Sequence, residues 1–95
     1  MPLSSFHDFV DKVGAAFRVD GDNGAPVLLS LRACTPLSDS GRPGGSFRLE
    51  FIGPAQPHLP QSIYRFTLDG ADSTDIFIVP VAAERGALVY EAIFY

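Results

Sequence analysis

The side chains of this chain best suited to chemistry are His7 with Asp8, the single Cys34, and three short clusters of acids and glycines. His7 beside Asp8 brings a proton acceptor next to a carboxylate, but adjacent residues on a helix point about 100° apart and do not face one another. Cys34 would be a nucleophile as its thiolate. It closes an apolar strand, however, where a free cysteine acts as a small buried hydrophobe. Asp20, Asp22 and Asn23 have the spacing that opens a calcium loop. Such a loop needs a further oxygen ligand at its fifth position, Gly at its sixth and Glu at its twelfth, and here Gly24, Ala25 and Leu31 stand there. Asp69, Asp72 and Asp75 would gather round a cation only if their turn folded inward, and they read more simply as solvated acids. Gly41-Arg42-Pro43-Gly44-Gly45 has the composition of a phosphate cradle. A P-loop continues with Lys-Ser/Thr at a helix start, whereas Ser46-Phe47 begins a strand. No catalytic residue, cofactor or metal site is expected from these groups.

One stretch has a spacing suited to recognition. Pro54, Pro57 and Pro60 recur every third residue, which aligns them on one face of a polyproline II segment, with His58 exposed among them. These four residues form the candidate partner-contact loop. The simpler reading is a stiff inter-strand loop whose prolines lower the entropy of the unfolded chain.

The elements that must position these residues are strands. Phe47, Leu49 and Phe51 alternate with Arg48 and Glu50; Tyr64, Phe66 and Leu68 with Arg65 and Thr67; Tyr90, Ala92 and Phe94 with Glu91. Period two is the mark of a sheet with one face on a core. Strands are predicted over 15–19, 27–34, 47–52, 62–68, 76–83 and 87–95. Gly, Asp and Asn between 20 and 24, the breakers between 35 and 46, and Arg85-Gly86 separate them. Pro80 falls inside a strand and predicts a bulge or an unpaired edge there. Before the strands, Ser5 as N-cap and Phe6, Phe9, Val10 and Val13 at helical spacing predict one short amphipathic helix, ended by a left-handed Gly14. The connections are too short for parallel crossovers, so the sheet is antiparallel. Ile52, Ile63, Ile76, Ile78, Val89 and Ile93 are expected opposite the aromatic set. Apolar residues on both faces predict a six-stranded sheet curled into a small barrel, mainly β, with the helix plugging one end.

Ninety-five residues make one domain, 1–95. Such a chain needs efficient burial, supplied by a composition 46% hydrophobic and 12% aromatic. One cysteine excludes an intramolecular disulfide, leaving packing to hold the fold. The net charge is −4, and the seven basic residues, six of them Arg, are scattered. Without a basic stripe, nucleic acid is not an expected partner. Neither signal peptide nor membrane segment is expected. The aromatic final strand resembles that of an outer-membrane barrel, but the strands are too few and too short for about 25 Å of lipid. The expected location is the cytoplasm, or a particle assembled there.

Phe51-Ile-Gly-Pro54, Leu59-Pro-Gln61 with Tyr64, Phe77-Ile-Val-Pro-Val81 and Tyr90-Glu-Ala-Ile-Phe94 together resemble an uncharacterised family of small bacterial β proteins. Phe9, Val13-Gly14 and Phe17 extend the resemblance over most of the chain, while Tyr95 departs from it, a polar residue such as Asn being expected there. The resemblance implies no activity and carries over no catalytic residue. Through members beside genes for phage-tail-collar-like fibre proteins, it implies an accessory or structural role. The expected function is a non-enzymatic structural or interaction module whose partner is another protein or a further copy in a homo-oligomer. The alternative is a β-barrel that binds a small ligand at its mouth.

Overall fold

Period-two burial runs through the strands of the computed structural model, which describes residues 6–20, 26–37, 46–56, 58–68 and 73–94. One short helix, α1 (Phe6–Val10), precedes β1 (Ala16–Asp20), β2 (Pro26–Pro36), β3 (Phe47–Pro54), β4 (Ser62–Leu68), β5 (Ser73–Glu84) and β6 (Ala87–Phe94). The strands close into a barrel in the order β1-β2-β3-β6-β5-β4, every neighbouring pair antiparallel. This is the mainly β, six-stranded barrel that the alternation predicts. It is built from two three-stranded meanders joined edge to edge, and the closure satisfies the ladder on both sides of each strand.

Three local features shape it. Arg85 and Gly86 both have positive φ, 47° and 79°. That is the geometry of a tight two-residue hairpin matched to strand twist, and it joins β5 to β6. A register shift between Leu31 and Ala33 makes Arg32 the extra residue of β2, and another between Pro80 and Ala82 does the same for Val81 in β5. Pro80 thus stands at a bulge, one of its two expected placements, and the bulges supply the bend that closure needs. β2 runs past its expected ends to Pro26 and Pro36, and β3 past its expected end to Pro54, because a proline at a strand terminus forfeits only one ladder bond.

The interior is aromatic. Phe17, Phe47, Phe51, Phe66 and Tyr90 are fully buried, interleaved with Leu29, Leu31, Leu49, Ile76 and Ile78. Phe17 meets Phe51 edge to face at 5.8 Å, and Phe51 lies 4.9 Å from Phe66. Such pairs add about 0.5–1.5 kcal/mol each beyond the area they bury. A Cβ at Gly53 on β3 would overlap Leu29 Cδ2, so the buried Leu29 side chain would have to shift to admit one. Ile76 and Ile78 share this interior with the aromatic set, which corrects the expectation that they lie on the opposite face. Their strand carries apolar residues at both parities, so its inward face is chosen by pairing rather than by its own pattern.

Both ends of the barrel are covered. At the end where β3 begins and β6 finishes, the fully buried Phe9 of α1 sits 5.6 Å from Phe94, 5.9 Å from Phe47 and 6.5 Å from Phe17. Phe47 and Phe94 themselves stack at 4.6 Å. The helix is the expected plug but not the expected stripe, because Val10 and Val13 are exposed. It ends at Val10, too early for an i to i+7 face, and a turn to Gly14 (φ 96°) follows. Gly14 N–H then donates to the Leu31 carbonyl at 2.8 Å and Leu31 N–H to the Ala15 carbonyl at 2.9 Å, tying the turn to β2.

At the other end the topology itself supplies the cover. β3 and β4 follow one another in the chain yet stand on opposite sides of the ring, so their connection, described at residues 55, 56 and 58–61, crosses the barrel mouth. Leu59 is buried in that crossing, and its N–H donates to the Tyr90 hydroxyl at 3.1 Å. Tyr64 OH in turn donates to the Pro60 carbonyl at 2.6 Å. Changing Tyr90 to Phe is expected to lower stability by about 1–3 kcal/mol, because the buried Leu59 N–H loses its acceptor. Urea denaturation at constant slope would read the loss, and an unchanged midpoint would mean that the amide finds another partner.

Candidate functional site

Among the described residues, those with chemical potential stand on separate elements. Cys34 is half-buried on β2 against the core, and burial pushes its thiol above the usual range, away from thiolate reactivity. Asp8 is half-buried on α1, and the side chain of His7 lies outside the described residues. Asp20 faces Arg18 at 3.6 Å, while Asp22 and Asn23 lie outside the described residues. Asp75 faces Arg65 at 3.5 Å, and Asp69 and Asp72 lie outside them too, as does the glycine-rich stretch 41–45. Among the described residues no group of His, Cys, Asp and Glu has the arrangement of a metal site. No helix among them is long and apolar enough to cross a membrane.

The candidate loop divides. Pro54 belongs to β3, opposite Ala87, which takes it out of any polyproline II repeat with its neighbours. Pro57 lies outside the described residues; His58 and Pro60 are exposed on either side of the buried Leu59. The segment is therefore anchored by the leucine between its prolines, a role the proline spacing did not signal.

What the fold does bring together lies on the outside of β2, β3, β6 and β5. Arg32, placed outward by its bulge, donates through Nε to Glu50 at 2.7 Å and through Nη1 and Nη2 to Glu84 at 2.9 and 3.2 Å. Arg48 donates through Nη2 to the other oxygen of Glu50 at 3.0 Å, and its Nε lies 2.7 Å from Glu91 Oε2. The Arg32 hydrogen bonds hold the Glu84 carboxyl below its ordinary range, and the two acids raise the Arg32 guanidinium in return. Because β3 and β6 stand between β2 and β5, the Arg32–Glu84 pair straps across both. The outward-facing Val89 of β6 is only 1% exposed. A network of this kind fastens register and closure more than it offers chemistry.

Beside the strap, the outer surface changes character. Ile63 on β4 is 64% exposed, Phe77 on β5 51% and Ile93 on β6 39%. Ile63 and Phe77 are direct cross-strand partners, and the register pairing Val79 with Glu91 carries the row on to Ile93. Phe77 stands between two hollows, of about 350 Å³ beside Ile63 and Asp75 and about 160 Å³ beside Val79 and Glu91. Three large apolar side chains from three strands thus form one exposed row, edged by Arg65 with Asp75 and by Arg48 with Glu91. Sequence reasoning did place Ile63 and Ile93 opposite the aromatic set. It missed Phe77, whose only signal is the odd parity it shares with Asp75.

A family model described as a domain of unknown function, DUF6916, matches residues 4–94. No curated protein and no solved structure matches the chain.

Proposed function

The chain belongs to the DUF6916 family of domains of unknown function, in agreement with its resemblance to an uncharacterised family, and from that premise we propose a non-enzymatic protein-interaction module. Its docking surface is the outer face of β4, β5 and β6. The observation that carries this reading is the row of Ile63, Phe77 and Ile93, three large apolar side chains exposed side by side on neighbouring strands, apart from the exposed Val10, Val13, Leu28, Leu37 and Val81 elsewhere. Contiguous apolar surface of this kind is a mark of interaction sites, whereas single exposed residues are not. The separation of Asp8, Cys34, Asp20 and Asp75 on different elements supports the same reading, since catalysis needs such groups to converge.

The alternative, a barrel that takes a small ligand, fits less well. The interior is occupied by aromatic and aliphatic side chains, and Phe9 and Leu59 cover the two mouths. A scaffold closed in this way presents its outside. The module would work in the cytoplasm or in a particle assembled there, and an accessory place in a fibre or tail-like assembly is in keeping with the family resemblance.

The test compares two baits in extract of the native host, the wild-type chain and Phe77→Asp. At least one protein captured by the first is expected to be missing from the second. Identical captured sets would remove this face from the function.

A further inference from the structure

We propose that the apolar row on β4, β5 and β6 docks a second copy of this chain, in a two-fold pair centred beside Phe77. The inference rests on the interaction reading above and names its partner. Two observations single out a second copy.

The first is the placement of charge. Arg65 lies one strand from Phe77 on β4 and two residues along it, because Ile63 pairs with Phe77 and Arg65 with Asp75. Glu91 lies one strand away on the other side, on β6, and two residues along in the opposite sense, because it pairs with Val79. Opposite charges thus stand at symmetric positions about one aromatic ring. A two-fold axis lying in the interface, beside Phe77 and perpendicular to the line from Arg65 to Glu91, sets each Arg65 against the partner's Glu91 and brings the two apolar rows together. An isologous interface needs this self-complementarity. Both charges are able to take part. Arg65 is well exposed and its contact with Asp75 is long, at 3.5 Å. Glu91 is held by Arg48, and one carboxylate can serve two guanidinium groups, as Glu50 does for Arg32 and Arg48.

The second observation is shape. Phe77 projects between the two hollows, so two copies related by such an axis each offer a ring and a recess at the same place. The row is small against the roughly 800 Å² per partner of a standard interface, so the pair is a weak one in which charge sets the register.

Sedimentation velocity of the purified chain, from low micromolar to near-millimolar concentration, tests this. The wild type is expected to shift from monomer to dimer across the range, and Phe77→Asp to stay monomeric. Arg65→Glu and Glu91→Arg are each expected to weaken self-association on the order of tenfold or more, since like charges then face each other. An equimolar mixture of these two variants should recover association to near the wild-type level, because both contacts in the mixed pair are again opposite in sign. Circular dichroism confirms that each variant is folded. A wild type that stays monomeric throughout overturns the proposal, as does a dimer that Phe77→Asp leaves intact or a mixture that fails to recover. A monomeric wild type would still leave the interaction reading to the capture experiment, where Phe77→Asp reports on a different protein.

Discussion

Deleting residues 90–95 is expected to leave the chain unfolded or aggregated. β6 pairs with β3 along its whole length, from Pro54↔Ala87 to Phe47↔Phe94, and with β5 on its other side. The truncation removes Tyr90 and Ala92 from the core, Phe94 from its stack on Phe47, and the acceptor of the Leu59 amide. Burial of a single large aromatic stabilises by about 1.5–3 kcal/mol. A small domain has only about 5–15 kcal/mol in all. The loss of two such aromatics together with Ala92 therefore consumes a large share of the stability before the opened barrel is considered. What remains has unpaired backbone on β3 and β5, a template for aggregation. Size-exclusion chromatography and far-ultraviolet circular dichroism would read the outcome. A monomeric product with native-like hydrogen-exchange protection in β5 would mean that the barrel tolerates an open seam, and that β6 is peripheral to its stability.

Phe9→Ala is expected to cost about 3–5 kcal/mol, the range for emptying a buried aromatic site. In a domain of this size that lowers the melting temperature by roughly 10–30 °C. The ring meets Phe17, Phe47 and Phe94 together, so its loss takes three aromatic contacts and leaves a hole at the barrel's end. The turn after α1 is also tied to β2 by backbone bonds. Differential scanning calorimetry of Phe9→Ala beside Phe9→Leu would separate the plug from the helix, with leucine recovering part of the loss. A melting temperature within a few degrees of wild type for both would show that α1 rests on the barrel without closing it.

Much of this architecture was legible in the residues, for a reason that differs between elements. β3, β4 and β6 alternate large apolar with charged residues, so their inward faces follow from local pattern alone, and β4 has the expected bounds of Ser62 and Leu68. Pro80 announced its bulge because a proline within a strand leaves few other solutions. Phe9 was legible as a plug, whereas Val10 and Val13 were not legible as exposed, since helical spacing tells nothing of where the helix stops. β5 was the ambiguous strand. Asp75, Phe77 and Val79 at one parity and Ile76 and Ile78 at the other satisfy either orientation. The candidate loop was legible as proline-rich but not as a plug.

By itself the sequence determined what depends on neighbours along the chain: which segments extend, where they turn, that the sheet is antiparallel and curls, and that no compact catalytic or metal motif is spelled out. Only the tertiary structure decided what depends on neighbours across the barrel. Ile63 opposite Phe77 turned β5 so that Phe77 faces water, because Tyr64 and Phe66 on the partner strand already claimed the inside. The placing of β3 and β4 across the ring carried Leu59 over the mouth to meet Tyr90. Arg32 and Glu84, 52 residues apart, met over two intervening strands. Each of these is a contact between distant segments, and its sign is set when the ring closes and one register excludes the others. The exposed row that gives this barrel its candidate surface is therefore a product of closure.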